Sequence, residues 1–229
     1  MNITVSHNEK KKEYQIHAGL LVWHSAWFAA ALDPANTAFK EGQVKRIEIE
    51  ASLDVFDAFC CWLYTGRLRD APDFEATMHA IDNQTTQEAL AEMMFLPSFL
   101  LIEIWTFADM RGVPAMCNAA IDMLHERKFT IWKTEGSIII PIYENSVPGS
   151  RLRAFCIDLF TLPESFDSLM ALDNDVLTFE FLRDVMPVFL KRAGGYGEEI
   201  ERKEWLGLNR CRWHDHSGPG GALRTKVRE

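Results

Sequence analysis

The sequence lacks a long hydrophobic segment of the kind that crosses or enters a membrane. Its first twelve residues are mostly polar and end in three consecutive lysines at residues 10–12, so we expect no secretory signal. The longest apolar run, residues 95–107, is interrupted by Pro97 and Glu103 and is shorter than the roughly 20 residues of a membrane-spanning helix. We therefore expect no membrane partner.

Positive charge is also scarce. The 229 residues include 24 Lys and Arg against 33 Asp and Glu, which gives a formal net charge of −9 at pH 7 with neutral histidines. Because an acidic chain has no overall attraction for a phosphate backbone, we expect no nucleic-acid partner. Hydrophobic residues make up 48% of the chain and aromatic residues 11%, which is enough to build a buried core.

Recognisable catalytic motifs are missing from the sequence. It contains no G-x-S-x-G, H-E-x-x-H or dinucleotide-binding pattern, and the glycines at residues 194–197 lack the Lys-Ser/Thr of a phosphate loop. His17 lies at a predicted strand-to-helix junction without a nucleophile at a known motif spacing, and we interpret it as a structural histidine that hydrogen-bonds to the backbone. We expect that the protein is not an enzyme and needs no cofactor.

Cysteine is infrequent, and the five cysteines are odd in number. Adjacent Cys60 and Cys61 point about 100° apart on a helix and cannot easily pair, so we expect reduced thiols in a protein of the cytoplasm or nucleus. Cys211, His214 and His216 can supply three zinc ligands, but no second Cys/His pair stands at the usual distance. Their Gly-rich surroundings favour a mobile tail or a small docking element over a metal site.

The most informative stretch is residues 53–66, which predicts a helix buried on two sides. Phe56, Phe59, Cys60 and Leu63 follow the helical spacing i, i+3, i+4, i+7, and Val55 and Trp62 widen the apolar stripe. Gly66 supplies the positive φ that a helix C-terminus often needs. We expect this central helix to determine the stability of the domain around it.

Patterns along the chain predict an α+β fold. Residues 2–5 and 11–16 predict a β-hairpin, residues 19–23 and 25–32 two short helices, and residues 44–50 a strand with Ile47 and Ile49 facing inward. Further helices are predicted over residues 87–95, 99–111, 114–124, 150–160 and 172–191, and an extended strand or strap over residues 138–141. We expect a domain over residues 1–128, a mainly helical extension over 129–207 and a flexible polar tail over 208–229.

The ordered motifs of the first 66 residues resemble those of a BTB (POZ) domain, and are similar to the fungal BTB-domain proteins. They are Tyr14-Gln15-Ile16-His17 with Leu21, Ser25-x-x-Phe28, a strand near Arg46–Ile49, and Phe56-x-x-Phe59-x-x-Trp62-Leu63-Tyr64-Thr65-Gly66. Residues 101–124 resemble the closing helical pair of the family, and residues 143–145 with 150–153 resemble its fungal C-terminal region. The resemblance covers roughly residues 1–128.

This resemblance implies a protein-interaction module that forms a homodimer through its first helix. The corresponding residues are Leu20, Leu21, Trp23 and Trp27. Many members carry one more strand before the hairpin; its absence here implies a weaker dimer. No zinc-finger array or Kelch repeats follow.

Two alternatives remain open on the same resemblance. Phe39-Lys40-Glu41 resembles the apolar-x-acidic motif by which BTB adaptors bind a cullin-3 scaffold, which implies a substrate adaptor of a ubiquitin ligase with Phe39 and Glu41 as partner-binding residues. The other alternative is a transcriptional regulator that acts through protein partners. Asn2 and Ala18 stand where the repressor type carries charged residues, which argues against corepressor recruitment through that pocket.

Overall fold

The protein has an α+β fold, as the sequence predicts. The computed structural model describes residues 1–33, 46–69, 86–194 and 198–218, which form two compact units. The first unit contains residues 1–33, 46–69, 103–120 and 215–218, and the second contains residues 86–102, 121–194 and 198–214. The expected domain boundary after residue 128 falls inside the helix Pro114–Ile131.

The first unit contains a three-stranded sheet of order β2-β1-β3. Strands β1, Asn2–His7, and β2, Lys10–Gln15, form the predicted antiparallel hairpin, and β3, Arg46–Glu50, pairs in parallel with β1. Both turn residues, Asn8 and Glu9, have positive φ, the conformation that matches the twist of a two-residue hairpin. Side chains alternate between the two faces of the sheet, and one face is buried. Its apolar residues are Ile3, Val5, Ile47 and Ile49.

Among the described residues of the first unit, the hairpin is followed by helices α1, Ala18–His24; α2, Ala26–Leu32; and α3, Leu53–Thr65. Ser25 caps α2, because its hydroxyl accepts a hydrogen bond from Phe28 N at 3.0 Å. Ser52 occupies the N-cap position of α3, but its side chain makes no cap hydrogen bond. Gly66 ends α3 with φ of 72°, which confirms the predicted left-handed C-cap.

Helix α3 is central to the first unit, as predicted. Phe59 is fully buried, and its ring lies 6.0 Å from that of Phe28, 5.5 Å from that of Phe56 and 5.4 Å from that of Phe107 between centroids. These separations are within the range of favourable aromatic pairs, so the aromatic cluster adds specific ring contacts to ordinary hydrophobic burial. The sheet and the helices of the unit therefore share one core.

The second unit is mainly helical. Its helices include α4, Gln87–Met94; α7, Ile139–Glu144; α8, Arg151–Thr161; α9, Phe166–Met170; α10, Phe179–Ala193; and α11, Arg202–Leu206. Two longer helices, α5, Ser98–Met110, and α6, Pro114–Ile131, each contribute residues to both units. Short 3-10 helices occupy Gly136–Ile138, Asn174–Val176 and Arg210–Trp213.

Two predictions of secondary structure in the second unit are wrong in part. Residues 138–141 form the end of a 3-10 helix and the start of α7 rather than a strand. Ile138, Ile139 and Ile142 are buried at helical spacing, whereas Ile140 is half-buried. Pro141 lies in the first helical turn, where it removes no hydrogen bond. The helix predicted over residues 172–191 begins only at Phe179, because Thr178 caps it there.

Arg153 shows how the second unit accommodates a buried charge. It is 4% exposed, and its guanidinium donates hydrogen bonds to Tyr143 O at 2.8 Å, Ser146 O at 2.6 Å and Glu180 Oε2 at 3.0 Å. These acceptors replace the water that the buried guanidinium loses. The same hydrogen bonds connect α8, which carries Arg153, with α7 and α10.

One described segment, Gln87–Met110, is long and apolar enough to cross a membrane, but 56% of its most apolar stretch is buried inside the protein. The structure divides this segment into α4 and α5, with a break at residues 95–97. Core helices have the same length and composition, so this segment provides little support for a membrane partner.

We predict that Phe59→Ala lowers the free energy of unfolding by about 3–5 kcal/mol, because it leaves a cavity within the aromatic cluster. Phe99→Ala on α5 is the matched control, since the Phe99 side chain is 57% exposed. The measurement is the denaturation midpoint in urea. Equal midpoints for the two variants would contradict a central role for α3.

Candidate functional site

The first candidate site is the outer surface of α1. This seven-residue helix reads Ala-Gly-Leu-Leu-Val-Trp-His and contains no Asp, Glu, Lys or Arg. Val22 is 43% exposed and Trp23 is 61% exposed, while a Cβ built at Gly19 would meet no atom within 4 Å. An exposed helix ordinarily presents charged or polar side chains to water, so an uncharged face with an exposed tryptophan has the character of a contact surface.

The four predicted dimer residues occupy different environments. Trp23 is exposed, Leu20 and Trp27 are half-buried, and Leu21 is fully buried in its own unit. The Trp27 ring lies under the guanidinium of Arg111, with 4.2 Å from Cζ to the ring centroid. The structure therefore brings Trp23 and Val22 to the surface together, whereas Leu21 contributes to the core.

His17 and Tyr64 form a polar edge where β2 leads into α1. The Tyr64 hydroxyl accepts a hydrogen bond from the His17 backbone N–H at 3.2 Å and lies 2.8 Å from Nδ1 of the same residue. The partner of His17 is thus a side-chain hydroxyl, and the prediction of a backbone partner is wrong. Sequence reasoning missed Tyr64 as a partner because the two residues are 47 positions apart.

A second polar group lies across the hairpin and α3. Asp57 on α3 accepts hydrogen bonds from Lys12 Nζ at 2.6 Å and from the Tyr14 hydroxyl at 3.0 Å. Burial, and then the hydrogen bond to Asp57, raise the pKa of the Tyr14 hydroxyl, so it remains a donor at neutral pH. The Lys12–Asp57 pair is about half exposed and contributes little to stability, but it helps to orient the hairpin.

The predicted cullin-binding residues Phe39 and Glu41 lie outside the described residues. Asn2 and Ala18, the two uncharged residues that the sequence analysis singled out, are both exposed in the first unit. They lie at the starts of β1 and α1, so neither of these two positions carries a charged side chain.

All five cysteines are free thiols. Burial raises the pKa of the Cys60 thiol to about 12, and it also raises the pKa of the Cys117 and Cys156 thiols. Because only the thiolate is a good nucleophile, these three cysteines are inert packing residues at neutral pH.

An aromatic cluster around Trp213 organises the C-terminal part of the second unit. Trp205 and Trp213 are both fully buried; the Trp213 ring lies 5.1 Å from that of Phe155 and 5.5 Å from that of His125. The Trp213 indole N–H donates to Asp158 Oδ2 at 2.7 Å. Residues 208–214 therefore do not behave as the flexible polar tail that the sequence predicts, because a tryptophan anchors them in a core.

Cys211, His214 and His216 lie close together beside this cluster. One potential ligand atom from each residue lies within 4.8 Å of those of the other two. His214 is 5% exposed, and its Nε2 lies 3.1 Å from Asp122 Oδ1. Of the three residues that the sequence identified as possible zinc ligands, Cys211 and His214 belong to the second unit and His216 belongs to the first.

The second unit also contains a cavity of about 250 Å³. Its lining includes Trp132, Thr134, Phe160 and Glu164. Glu164 accepts hydrogen bonds from the buried Lys128 ammonium at 2.9 Å and from the Thr134 hydroxyl at 2.5 Å. Burial lowers the pKa of Lys128, but its carboxylate partner compensates for the charge, so the group is a structural ion pair.

Comparison with known proteins identified no relative: no protein-family model matches the chain, and no curated protein matches it. The function must therefore be inferred from the residues and their contacts.

We predict that stability falls as pH drops from 6.5 toward 4, because His125 is held neutral in the core. Burial lowers the pKa of His125 from 6.5 to about 4, so the unfolded chain binds a proton in this interval and the folded chain does not. The two pKa values differ by about 2.5, so the full contribution is about 3–4 kcal/mol at about 1.4 kcal/mol for each pKa unit, and most of it is lost by pH 4.

The check is thermal melting as a function of pH for the wild type and His125→Gln. Glutamine retains an N–H that can donate to Trp205 O, the acceptor 2.8 Å from His125 Nε2, but it does not titrate. The variant should lose less stability than the wild type over this interval, and exposed His7→Gln serves as control. Parallel profiles for the wild type and His125→Gln would contradict the prediction.

Proposed function

We propose that this protein is an interaction scaffold of the BTB (POZ) class that self-associates through the outer face of α1. The ordered motifs of the first 66 residues support the class, and the hairpin, α1, α2, β3 and α3 follow them in the expected order. The observation that carries the proposal is the exposure of Trp23 on a helix without charged side chains.

The energetic argument depends on the area of Trp23 and on the absence of charge around it. An aromatic side chain buries about 150–250 Å² when it is fully covered, and each Å² of apolar surface removed from water contributes roughly 25 cal/mol. With 61% of its surface exposed, each Trp23 can bury more than half of that area in a partner. Because α1 contains no Asp, Glu, Lys or Arg, a partner that covers it does not have to remove any of these charged side chains from water.

A second copy of the chain is the partner that this surface fits. A two-fold dimer brings the same patch of both chains together, so each Trp23 can pack on Gly19 and Val22 of the other chain. The open space at Gly19 allows a ring to approach the helix backbone closely. The half-exposed Tyr64 at the edge of α1 provides a polar rim, which is the usual anatomy of an interface.

We predict that Trp23→Ser raises the dissociation constant of the dimer at least about tenfold, which corresponds to a loss of about 1.4 kcal/mol. The matched control is Phe179→Ser on α10, because Phe179 is 80% exposed but lies in the second unit. The measurement is sedimentation equilibrium at several protein concentrations.

The wild type and Phe179→Ser should show concentration-dependent dimers, while Trp23→Ser remains monomeric over the same range. A strictly monomeric wild type at tens of micromolar would contradict the proposal. A dimer that Trp23→Ser leaves unchanged would place the interface elsewhere.

A more specific function, a substrate adaptor of a cullin-3 ubiquitin ligase, is favoured by the triplet Phe39-Lys40-Glu41. We predict that Glu41→Ala weakens cullin-3 binding by about 1–3 kcal/mol with an unchanged melting temperature, because the proposed role of this carboxylate is to contact the partner. Phe39→Ala should weaken it further.

Binding is measured with purified cullin-3 by calorimetry, and Glu48→Ala on β3 serves as the control for loss of an exposed carboxylate. If the wild type does not bind, or binds equally well without Glu41, the adaptor function is wrong. The sedimentation experiment tests the scaffold function separately from the adaptor function.

A further inference from the structure

We propose that the cavity of about 250 Å³ in the second unit binds a free amino acid with an apolar side chain. All of its lining residues belong to the second unit, so this site is independent of self-association through α1. The lining combines aromatic and aliphatic side chains with one carboxylate and one ammonium group. The apolar residues are Trp132, Phe160, Leu169 and Leu172, and the charged residues are Glu164 and Lys133.

The size of the cavity limits the ligand. A volume of about 250 Å³ lies just below the range of about 300–1,000 Å³ that is typical of sites for drug-sized molecules. The cavity therefore suits a ligand as small as a single amino acid, whereas a peptide or a nucleotide is too large for it.

Glu164 supplies an acceptor for the ammonium group of the ligand. Its Oε1 receives the hydrogen bonds from Lys128 and Thr134, at 2.9 Å and 2.5 Å, while none of the described residues donates to its Oε2. The backbone carbonyl of Glu164 accepts a hydrogen bond from Arg192 Nη1 at 3.0 Å, which holds this residue in place. Because a carboxylate accepts hydrogen bonds on both oxygens, Oε2 remains available to a ligand.

Lys133 supplies the opposite charge. Its side chain is exposed, and it forms no hydrogen bond or ion pair with any residue that the structure describes. Glu164 is already paired with the buried Lys128 ammonium, so Lys133 leaves the site with a net positive charge.

The two charged groups together select a zwitterion. A ligand with only an ammonium group lacks a partner for Lys133 and is repelled by it, whereas a ligand with only a carboxylate gives Glu164 Oε2 no donor. A molecule that carries both groups satisfies both residues through charge-assisted hydrogen bonds. A free amino acid carries the two groups on one carbon atom beside a side chain.

The walls of the cavity favour an apolar side chain on that amino acid. Phe160 and Leu169 are each 1% exposed and form its floor. Trp132 and Leu172 are half-buried, so they retain apolar surface that a ligand can cover. Removal of this surface from water favours binding.

The backbone of Trp132 is an independent observation. This residue directly follows α6 and has φ of 53°, a left-handed conformation in which glycine is usual and a bulky side chain is uncommon. Its N–H donates to Lys128 O at 2.8 Å and so ends the helix, which a glycine does equally well. Residues held in such conformations cluster at ligand sites, and contact between the ring and the ligand accounts for a tryptophan here.

The experiment is calorimetric titration of the full chain with L-leucine, L-methionine and L-phenylalanine. At least one of them should bind at one site per chain. The amine that lacks the carboxylate of that amino acid, and the acid that lacks its ammonium group, should each bind at least about tenfold more weakly, because each leaves one charged residue of the cavity without a partner.

Trp132→Gly tests the aromatic wall. Glycine adopts the positive φ of this position without strain, so the variant should fold, but it should bind the amino acid at least about tenfold more weakly than the wild type. Phe179→Ser, which removes an exposed ring of α10, is the matched control and should bind like the wild type.

Lys133→Gln tests the charge selection without disturbing the buried pair of Lys128 and Glu164. It should weaken binding of the amino acid but not of the amine that lacks a carboxylate, since only the former uses the Lys133 ammonium. Lys191→Gln, at an exposed position of α10, is the matched control for loss of one positive charge.

The proposal is overturned if none of the three amino acids binds at concentrations up to about 10 mM. It is also overturned if Trp132→Gly binds as tightly as Phe179→Ser does, or if the analogues with a single charged group bind as tightly as the amino acid. Equal losses of affinity in Lys133→Gln and Lys191→Gln would contradict the assignment of Lys133.

Discussion

The burial of α3 within the aromatic cluster of the first unit is the constraint on which the proposed interface depends. Phe28 packs against Phe59 in this cluster, and α1 contributes the fully buried Leu21 to the same unit. Because successive residues of a helix are about 100° apart, burial of Leu21 turns Trp23 toward the opposite side. The exposed tryptophan is thus a direct geometric consequence of how α1 is held in place.

The second unit depends on different interactions, which are buried polar contacts beside aromatic rings. Trp205 and His125 exchange hydrogen bonds with each other's backbone carbonyls, at 3.0 Å and 2.8 Å, while their rings stack. Trp213 extends this cluster and anchors the 3-10 helix Arg210–Trp213. The first unit therefore presents an apolar face on α1, whereas the second unit contains a buried cluster of aromatic rings and hydrogen bonds.

The secondary structure of the first unit is largely predictable from sequence because it depends on local patterns. The second unit is less predictable because its structure depends on contacts between residues that are far apart in the sequence. The hairpin, the inward Ile47 and Ile49, and the cap at Gly66 follow from periodicity and backbone stereochemistry alone. The isoleucines of residues 138–140 form helical structure because tertiary burial outweighs the strand preference of β-branched residues. Trp213 gave no periodic signal, since its partner Asp158 lies 55 residues away. In α1 the seven-residue pattern is too short to predict that Leu21 is buried whereas Trp23 is exposed.

Self-association through α1 is the central claim, and hydrogen exchange at two protein concentrations tests it most directly. Amides of Ala18–His24 should exchange more slowly at a concentration where the protein is dimeric than at one where it is monomeric, because covering this face restricts local opening. Amides of α10 should exchange at the same rate at both concentrations. Unchanged exchange in α1, or protection that appears only in another element, would contradict the account.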